Sequence, residues 1–460
     1  MIDFGNTICA LSTPQGSGAI GLIRLSGENA LKIANKIFEG KDLESVATQS
    51  LHFGKIIDGE EIVDEVLVSV FKAPNSYTGE NVVEISAHGS SYILSKILSL
   101  LIQTGARMAK AGEFTQRAYL NGKMDLVQAE AVTDLIASET KAAHDLAINQ
   151  MRGGFSNKIN ALREELIHFA SLIELELDFS EEDVEFADRK DLKDLVDKIL
   201  KIIHQLVASF STGNVLKNGI PVAILGQPNV GKSTLLNLLL NEDKAIVSDI
   251  AGTTRDSIED TVNIEGIAFR FIDTAGLRDT EDVVENIGIE RSYQKAEKAS
   301  LILYMIDASK DSVEDINNHL EALKTRLGSK KQILVLANKI DQNAGGSNSE
   351  GYPIEEETIY ISALKAEGID TLLQKLQSIA KEKMQFQNEV IVSNIRHQEA
   401  LKKAAESLER VEEGLNTNIT GDFLAMDIRQ ALHHLGEITG SIEVDRDILG
   451  NIFSRFCIGK

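Results

Sequence analysis

The octapeptide GQPNVGKS, Gly226–Ser233, stands between an apolar run, PVAIL, and the leucine-rich TLLNLLL. Its spacing is that of a phosphate-binding loop, in the strand–loop–helix setting the chemistry requires. Glycines let successive backbone N–H groups turn toward phosphate oxygens at the positive end of a helix. Lys232 brings a point charge to the β/γ-phosphates, and the Ser233 hydroxyl is a Mg²⁺ ligand. This loop commits the residues around it to an α/β domain, and strands alternate with helices from GIPVAILG at 219–226 to roughly residue 380.

Four further stretches narrow the nucleotide to a guanine nucleotide. NKID, Asn338–Asp341, follows the strand-like QILVLA, and an aspartate there accepts from the ring N–H and the 2-amino group of guanine together. Adenine has neither donor. DTAG, Asp273–Gly276, ends the run AFRFI, where the aspartate holds the Mg²⁺ shell and the Gly276 amide meets the γ-phosphate. GTTRD, Gly252–Asp256, offers Thr254 as a second Mg²⁺ ligand, and SAL, Ser362–Leu364, lies where backbone closes over the base. The water-positioning residue is less legible. In Ras-type proteins a Gln follows DTAG; here the residue is Leu277, which can neither donate nor accept. Asp279, Glu281, Asp282 and Glu285 are candidates, and each also reads as part of an acidic loop without a catalytic role.

The remaining chain is of another character. At 460 residues it has room for about three domains. Residues 1–118 mix strand-like runs, EIVDEVLVSVF and NVVEISAHG, with an amphipathic helix ended by Gly105, an α+β pattern. No proline interrupts residues 75–220, which suits long helices over 119–215. Helical periodicity returns over 381–460, so the expected architecture is a helical domain split in sequence, with the G domain at 216–380 inserted into it. GSGAIG, Gly16–Gly21, matches a dinucleotide fingerprint only in letters: LIRLSG continues it as a strand where that fingerprint needs a helix. The acidic run ELELDFSEEDVEFAD reads as a solvated loop or helix end, and the pair His433–His434 as packing and surface.

A net charge of −23 opposes a broad electrostatic grip on nucleic acid, and the absence of Trp opposes extensive base stacking. Two cysteines, Cys9 and Cys457, make no disulfide framework and suit a reducing cytoplasm. No apolar stretch is long enough for a membrane span, and no secretory signal is evident. The ending FSRFCIGK is not a prenylation box, because Gly459 is not aliphatic.

Over essentially its whole length the chain resembles the tRNA modification GTPases of the MnmE (TrmE) family. The resemblance rests on TPQGSGAIGLIRLSG, AGEFTQRAYLNGKMDLVQAEAV, GQPNVGKSTLLN, AIVSDIAGTTRD, FIDTAGLR with ENIGIERS, NKID and the closing FCIGK. It implies a multidomain protein: an α+β N-terminal domain that dimerises and binds a tetrahydrofolate derivative, an all-α domain, and an inserted Ras-like G domain. Arg24, Glu84, Lys123 and the terminal Lys460 match the family's folate contacts, and Cys457 its cysteine position, where a small buried hydrophobe is the competing reading. Arginine and lysine suit the folate glutamate tail, and a carboxylate the pterin N–H edge, while each taken alone also reads as a member of a surface ion pair.

Within the G domain the resemblance implies GTP contacts at Asn229, Val230, Gly231, Lys232, Ser233 and Thr234. It extends them to Ser248, Asp249, Ile250, Ala251, Gly252, Thr253 and Thr254, to Asp273, Thr274, Ala275 and Gly276, and to Asn338, Lys339, Asp341, Ser362, Ala363 and Leu364. It also implies K⁺ in place of an arginine finger, held at Asn229, Ser248, Ile250 and Thr253, with Glu285 positioning the water. The implied activity is GTP hydrolysis in company with an FAD-dependent partner, MnmG (GidA), as a heterotetramer that modifies carbon 5 of the tRNA wobble uridine. tRNA is expected to bind mainly through that complex. Two rivals stay open: a ribosome-assembly or regulatory GTPase, and a folate-dependent methyltransferase with a regulatory G domain.

Overall fold

The computed structural model describes residues 5–178, 189–241, 260–272, 294, 296–327, 331–342, 356–384, 390–417, 419–441, 452–453, 456 and 459. The chain divides into two compact units. One is built from residues 1–136, 150–197 and 403–460, the other from 137–149 and 198–402.

The first unit contains strands β1 (Ile8–Leu11), β2 (Ile20–Ser26), β3 (Phe38–Glu39), β4 (Ser50–Asp58), β5 (Glu61–Phe71), β6 (Val82–His88) and β7 (Arg107–Met108). They form one sheet in the order β3-β4-β5-β6-β2-β1-β7. Alternation decides its faces. Val66, Val68 and Val70 of β5 are buried, with Val83 and Ile85 of β6, under the helices α1 (Ala30–Asn35) and α2 (Ser91–Gln103). Leu94, Ile97 and Leu101 of α2 recur at helical spacing and supply the covering stripe. Each such burial contributes about 1.5–3 kcal/mol. Leu51, Phe53 and Leu67 are exposed, and Phe53 lies directly opposite Leu67 across β4 and β5. The run LIRLS is part of β2, antiparallel to both β1 and β6, and α1 begins only at Ala30, so GSGAIG does not open a helix.

Two stretches far apart in sequence build the helical part of this unit. Helix Gly154–Asp178 packs against helix Gly421–Thr439. Ile159, Leu162, Leu166 and Ile173 are buried on the first, and Leu424, Ile428, Ala431, Leu435 and Ile438 on the second. The second series steps by four and three residues, the spacing of a stripe that faces a partner helix. Gly440, at φ +73°, ends that helix in the left-handed conformation. The start of the acidic run, ELELD, is helical to Asp178, and residues 179–188 lie outside the described set. The proline-free stretch also carries the long helix Arg189–Asn218.

The second unit holds β8 (Ile220–Gly226), β9 (Asp260–Ile264), β10 (Ile267–Phe271), β11 (Leu301–Asp307), β12 (Gln332–Asn338) and β13 (Thr358–Tyr360). Their order is β13-β12-β11-β8-β10-β9, with every neighbouring pair parallel except β9 and β10. Every residue of β11, LILYMID, is buried, as a central strand covered on both faces requires. In such sheets ligands bind beyond the carboxyl ends of the strands. There Gly226 lies opposite Met305, and Asp307 opposite Asn338.

Candidate functional site: a nucleotide loop and a paired arginine

The phosphate loop leaves β8 at Gly226 and enters helix Lys232–Asn241. Leu235, Leu236 and Leu239 bury that helix on the sheet, and the buried Val230 pins the loop beneath it. Gly226 (φ +143°) and Gly231 (φ +104°) take up backbone conformations that L side chains rarely adopt, and Asn229 (φ +60°) is left-handed as well. The Lys232 ammonium donates to the carbonyls of Gly226 (2.8 Å) and Gln227 (2.7 Å), so it is folded back over the loop. Ser233 is half-buried and Thr234 exposed.

Asn338 joins this loop to the stretch Ser362–Leu364. Its Nδ2 donates to the Val230 carbonyl at 2.7 Å, and its Oδ1 accepts from the Ala363 amide at 2.9 Å. A Cβ on Gly231 would collide with that Nδ2, so the absence of a side chain at 231 permits the approach. The Ser362 hydroxyl donates to Asp341 Oδ1 at 2.7 Å and accepts from the Lys365 amide at 3.2 Å. Leu364 is exposed. Lys339, between Asn338 and Asp341, has φ +66° and gives its ammonium to Asp307 Oδ2 at 2.7 Å. The structure thus brings together Asn229–Thr234, Asn338, Lys339, Asp341 and Ser362–Leu364. Ser248, Asp249, Ile250, Ala251, Gly252, Thr253, Thr254, Asp273, Thr274, Ala275, Gly276 and Glu285 lie outside the described residues, as do Cys457 and Lys460.

A second constellation lies in the first unit. Arg24 and Glu84 are directly opposed across β2 and β6, with Nε and Oε1 2.7 Å apart. The Arg24 guanidinium lies 5.5 Å from the centre of the Tyr77 ring and 5.7 Å from that of Phe114. Burial pushes the Tyr77 phenol above its ordinary value, against the opposing pull of its 2.8 Å hydrogen bond with Thr115 and of Arg24. Lys123 donates to the Pro74 carbonyl at 3.1 Å and Asn121 to the Thr78 carbonyl at 2.7 Å, on the loop that carries Tyr77. A buried ionic chain holds the same loop: Arg117 bonds both Glu80 oxygens, the Asn6 carbonyl and Glu113, and Glu113 also takes Arg107. The Ser12 hydroxyl donates to the Gly459 carbonyl at 3.1 Å, and Phe453 and Phe456 pack with Ala129.

The family description "MnmE helical domain" matches residues 126–457, and "GTP-binding protein TrmE N-terminus" matches 7–123. Proteins called tRNA modification GTPase MnmE are 54% identical in Christiangramia forsetii and 56% identical in Bacteroides fragilis, over 99% of this chain and 99% of each relative. That of Cytophaga hutchinsonii is 54% identical over 99% of this chain and 98% of its own. The chain belongs to the MnmE (TrmE) family of tRNA modification GTPases.

As a member of the MnmE family the chain is a GTP hydrolase of tRNA modification, with a G domain and a helical region in a multidomain arrangement. Family membership supports GTP binding by the chain. Among the described residues no group of three or more His, Cys, Asp and Glu side chains could hold a metal ion, and His433 and His434 both turn to Glu437. Among them too, no helix is long and apolar enough to cross a membrane. Cys9 is buried, and burial pushes its thiol up to about 11, far from a reactive thiolate. Tyr77, Phe114 and Asp307 escape a reading of motifs. Each acts on a residue distant in sequence, and no spacing announces it.

Proposed function

We propose that this GTPase is activated by K⁺ and works with an FAD-dependent partner of the MnmG type to add a carboxymethylaminomethyl or aminomethyl group to carbon 5 of the wobble uridine in tRNA. Mg²⁺ is held by Ser233 and Thr254. K⁺ is held by Asn229 with Ser248, Ile250 and Thr253, where side-chain and carbonyl oxygens suit a large monovalent cation. Glu285 positions the attacking water, since Leu277 cannot. The left-handed backbone at Asn229 supports the K⁺ assignment, because strained non-glycine conformations gather at functional sites.

One-carbon chemistry is assigned to a tetrahydrofolate derivative held around Arg24, Glu84, Lys123 and the tail ending in Lys460. The observation that carries this is the seating of the tail: Gly459 meets Leu11 and Ser12, at the end of the strand whose Ala10 lies opposite Arg24. The exposed apolar strip of Leu51, Phe53 and Leu67 supports a homodimer through the N-terminal sheet. The net charge of −23 favours tRNA binding through the complex rather than by this chain alone.

Mass analysis of tRNA nucleosides from a deletion strain tests the reading; an unchanged wobble uridine would overturn it. GTP turnover in KCl against NaCl tests the cation separately. Faster hydrolysis in KCl is expected, and equal rates would remove K⁺ from the mechanism.

A further inference from the structure

Asp307 ends β11 directly opposite Asn338 and belongs to none of the nucleotide motifs. It is buried, and both carboxylate oxygens are committed. Oδ1 accepts from the Ser309 amide (3.0 Å) and hydroxyl (2.6 Å), and Oδ2 takes the Lys339 ammonium at 2.7 Å. Its own amide donates to Asp311 at 2.7 Å, and the neighbouring Ala308 amide donates to the Asn338 carbonyl at 2.9 Å. Burial pushes this carboxyl up, but the bonds from Lys339 and Ser309 outweigh it and hold the group below its ordinary value, so it is ionised.

The residue it holds is unusual. Lys339 is one of five non-glycine residues with positive φ among those described, and it stands between Asn338 and Asp341. A non-glycine residue in that region persists only where its surroundings over-determine it. A lysine whose charge was free would swing toward solvent or toward phosphate. Here an anchored carboxylate from the adjacent strand fixes it instead.

We propose that Asp307 is a positioning residue for guanine-nucleotide binding. By holding the Lys339 ammonium it fixes the left-handed backbone at 339, and with it the relative placement of Asn338 on the phosphate loop and Asp341 beside Ser362. The inference depends on the GTPase activity of the family and not on K⁺, folate or the flavoprotein.

The test uses the full-length protein, with displacement of a fluorescent GDP analogue and steady-state GTP hydrolysis. Asp307→Ala is expected to release GDP on the order of tenfold faster, the scale of losing one hydrogen bond to a charged group. KM should rise in proportion, with kcat at saturating GTP within about twofold, because the lost contact serves binding rather than the transition state alone. In a Lys339→Met background the same substitution should add nothing, because Asp307 acts through that ammonium. Asp307→Asn, which keeps size and one acceptor, should fall between wild type and Asp307→Ala, and it carries the test if the alanine variant does not fold. An unchanged GDP release rate, an effect confined to kcat, or a full effect in the Lys339→Met background would overturn the proposal.

Discussion

The Ser12 hydroxyl donates a 3.1 Å hydrogen bond to the carbonyl of Gly459, joining residues 447 positions apart. Gly459 has φ +101°, and a Cβ there would run into the Leu11 carbonyl. A side chain at 459 would therefore be strained twice, by its own backbone and by the strand. The contact seats the tail on β1, next to the strand that bears Arg24.

Gly459→Val is accordingly expected to unseat the tail and lower wobble-uridine modification, while basal GTP hydrolysis stays near normal. Arg24→Glu should do the same, because it places like charges opposite each other at Glu84. Calorimetry with 5-formyltetrahydrofolate checks both. Wild-type folate affinity in the two variants would refute the tail and the arginine as parts of one site.

Asp341→Asn replaces one acceptor oxygen of the carboxylate by an amide donor. GTP binding should weaken by about 1–3 kcal/mol, the cost of mispairing a buried polar group. Xanthosine triphosphate, with a carbonyl where guanine has its 2-amino group, should gain relative to GTP. Competition between the two nucleotides in a binding assay reads the switch directly.

Gly231→Ala puts a methyl group against Asn338 Nδ2 and strains a backbone at φ +104°. The Asn338 to Val230 bond should break, and nucleotide affinity should fall by at least the ~1 kcal/mol net worth of that bond. The N-terminal unit does not contain this residue, so the folate binding proposed for that unit should be untouched. Nucleotide affinity equal to wild type would show that the asparagine bridge is dispensable.

Glu113 is fully buried and bonded to Arg107, Arg117 and the Lys110 amide. Burial pushes its carboxyl up, yet these bonds outweigh it and hold the group below its ordinary 4.5. A carboxyl with a depressed folded value stabilises fully above the unfolded value, and that stability is lost as pH falls through the folded one. Stability of the N-terminal unit should thus decline with acid below about pH 4.5, the ordinary value of this group. Glu113→Gln should cost about 1.5–3 kcal/mol at neutral pH, the scale of a hydrogen bond to a charged group, because Arg117 keeps Glu80 while Arg107 loses the Glu113 carboxylate. Urea unfolding followed over pH should show a flatter acid limb in the variant.

The nucleotide loop, NKID and SAL were legible because their chemistry is local. Glycine spacing, a lysine and a hydroxyl within eight residues suffice to cradle phosphate, and the strand before and helix after are written in adjacent apolar runs. The alternation in EIVDEVLVSVF likewise announced β5, and the stripe of α2 announced its buried face. What tertiary structure decided is which distant residues meet. The motifs name Arg24 and Glu84 separately; strand register sets one against the other, and packing sets the Tyr77 and Phe114 rings beside Arg24. Asp307 reaches Lys339 only because β11 and β12 are parallel neighbours that end level with each other. Periodicity along a chain determines faces and elements, since it depends on residues a few positions apart. Register and packing join residues tens to hundreds of positions apart, and only the folded chain settles those partners.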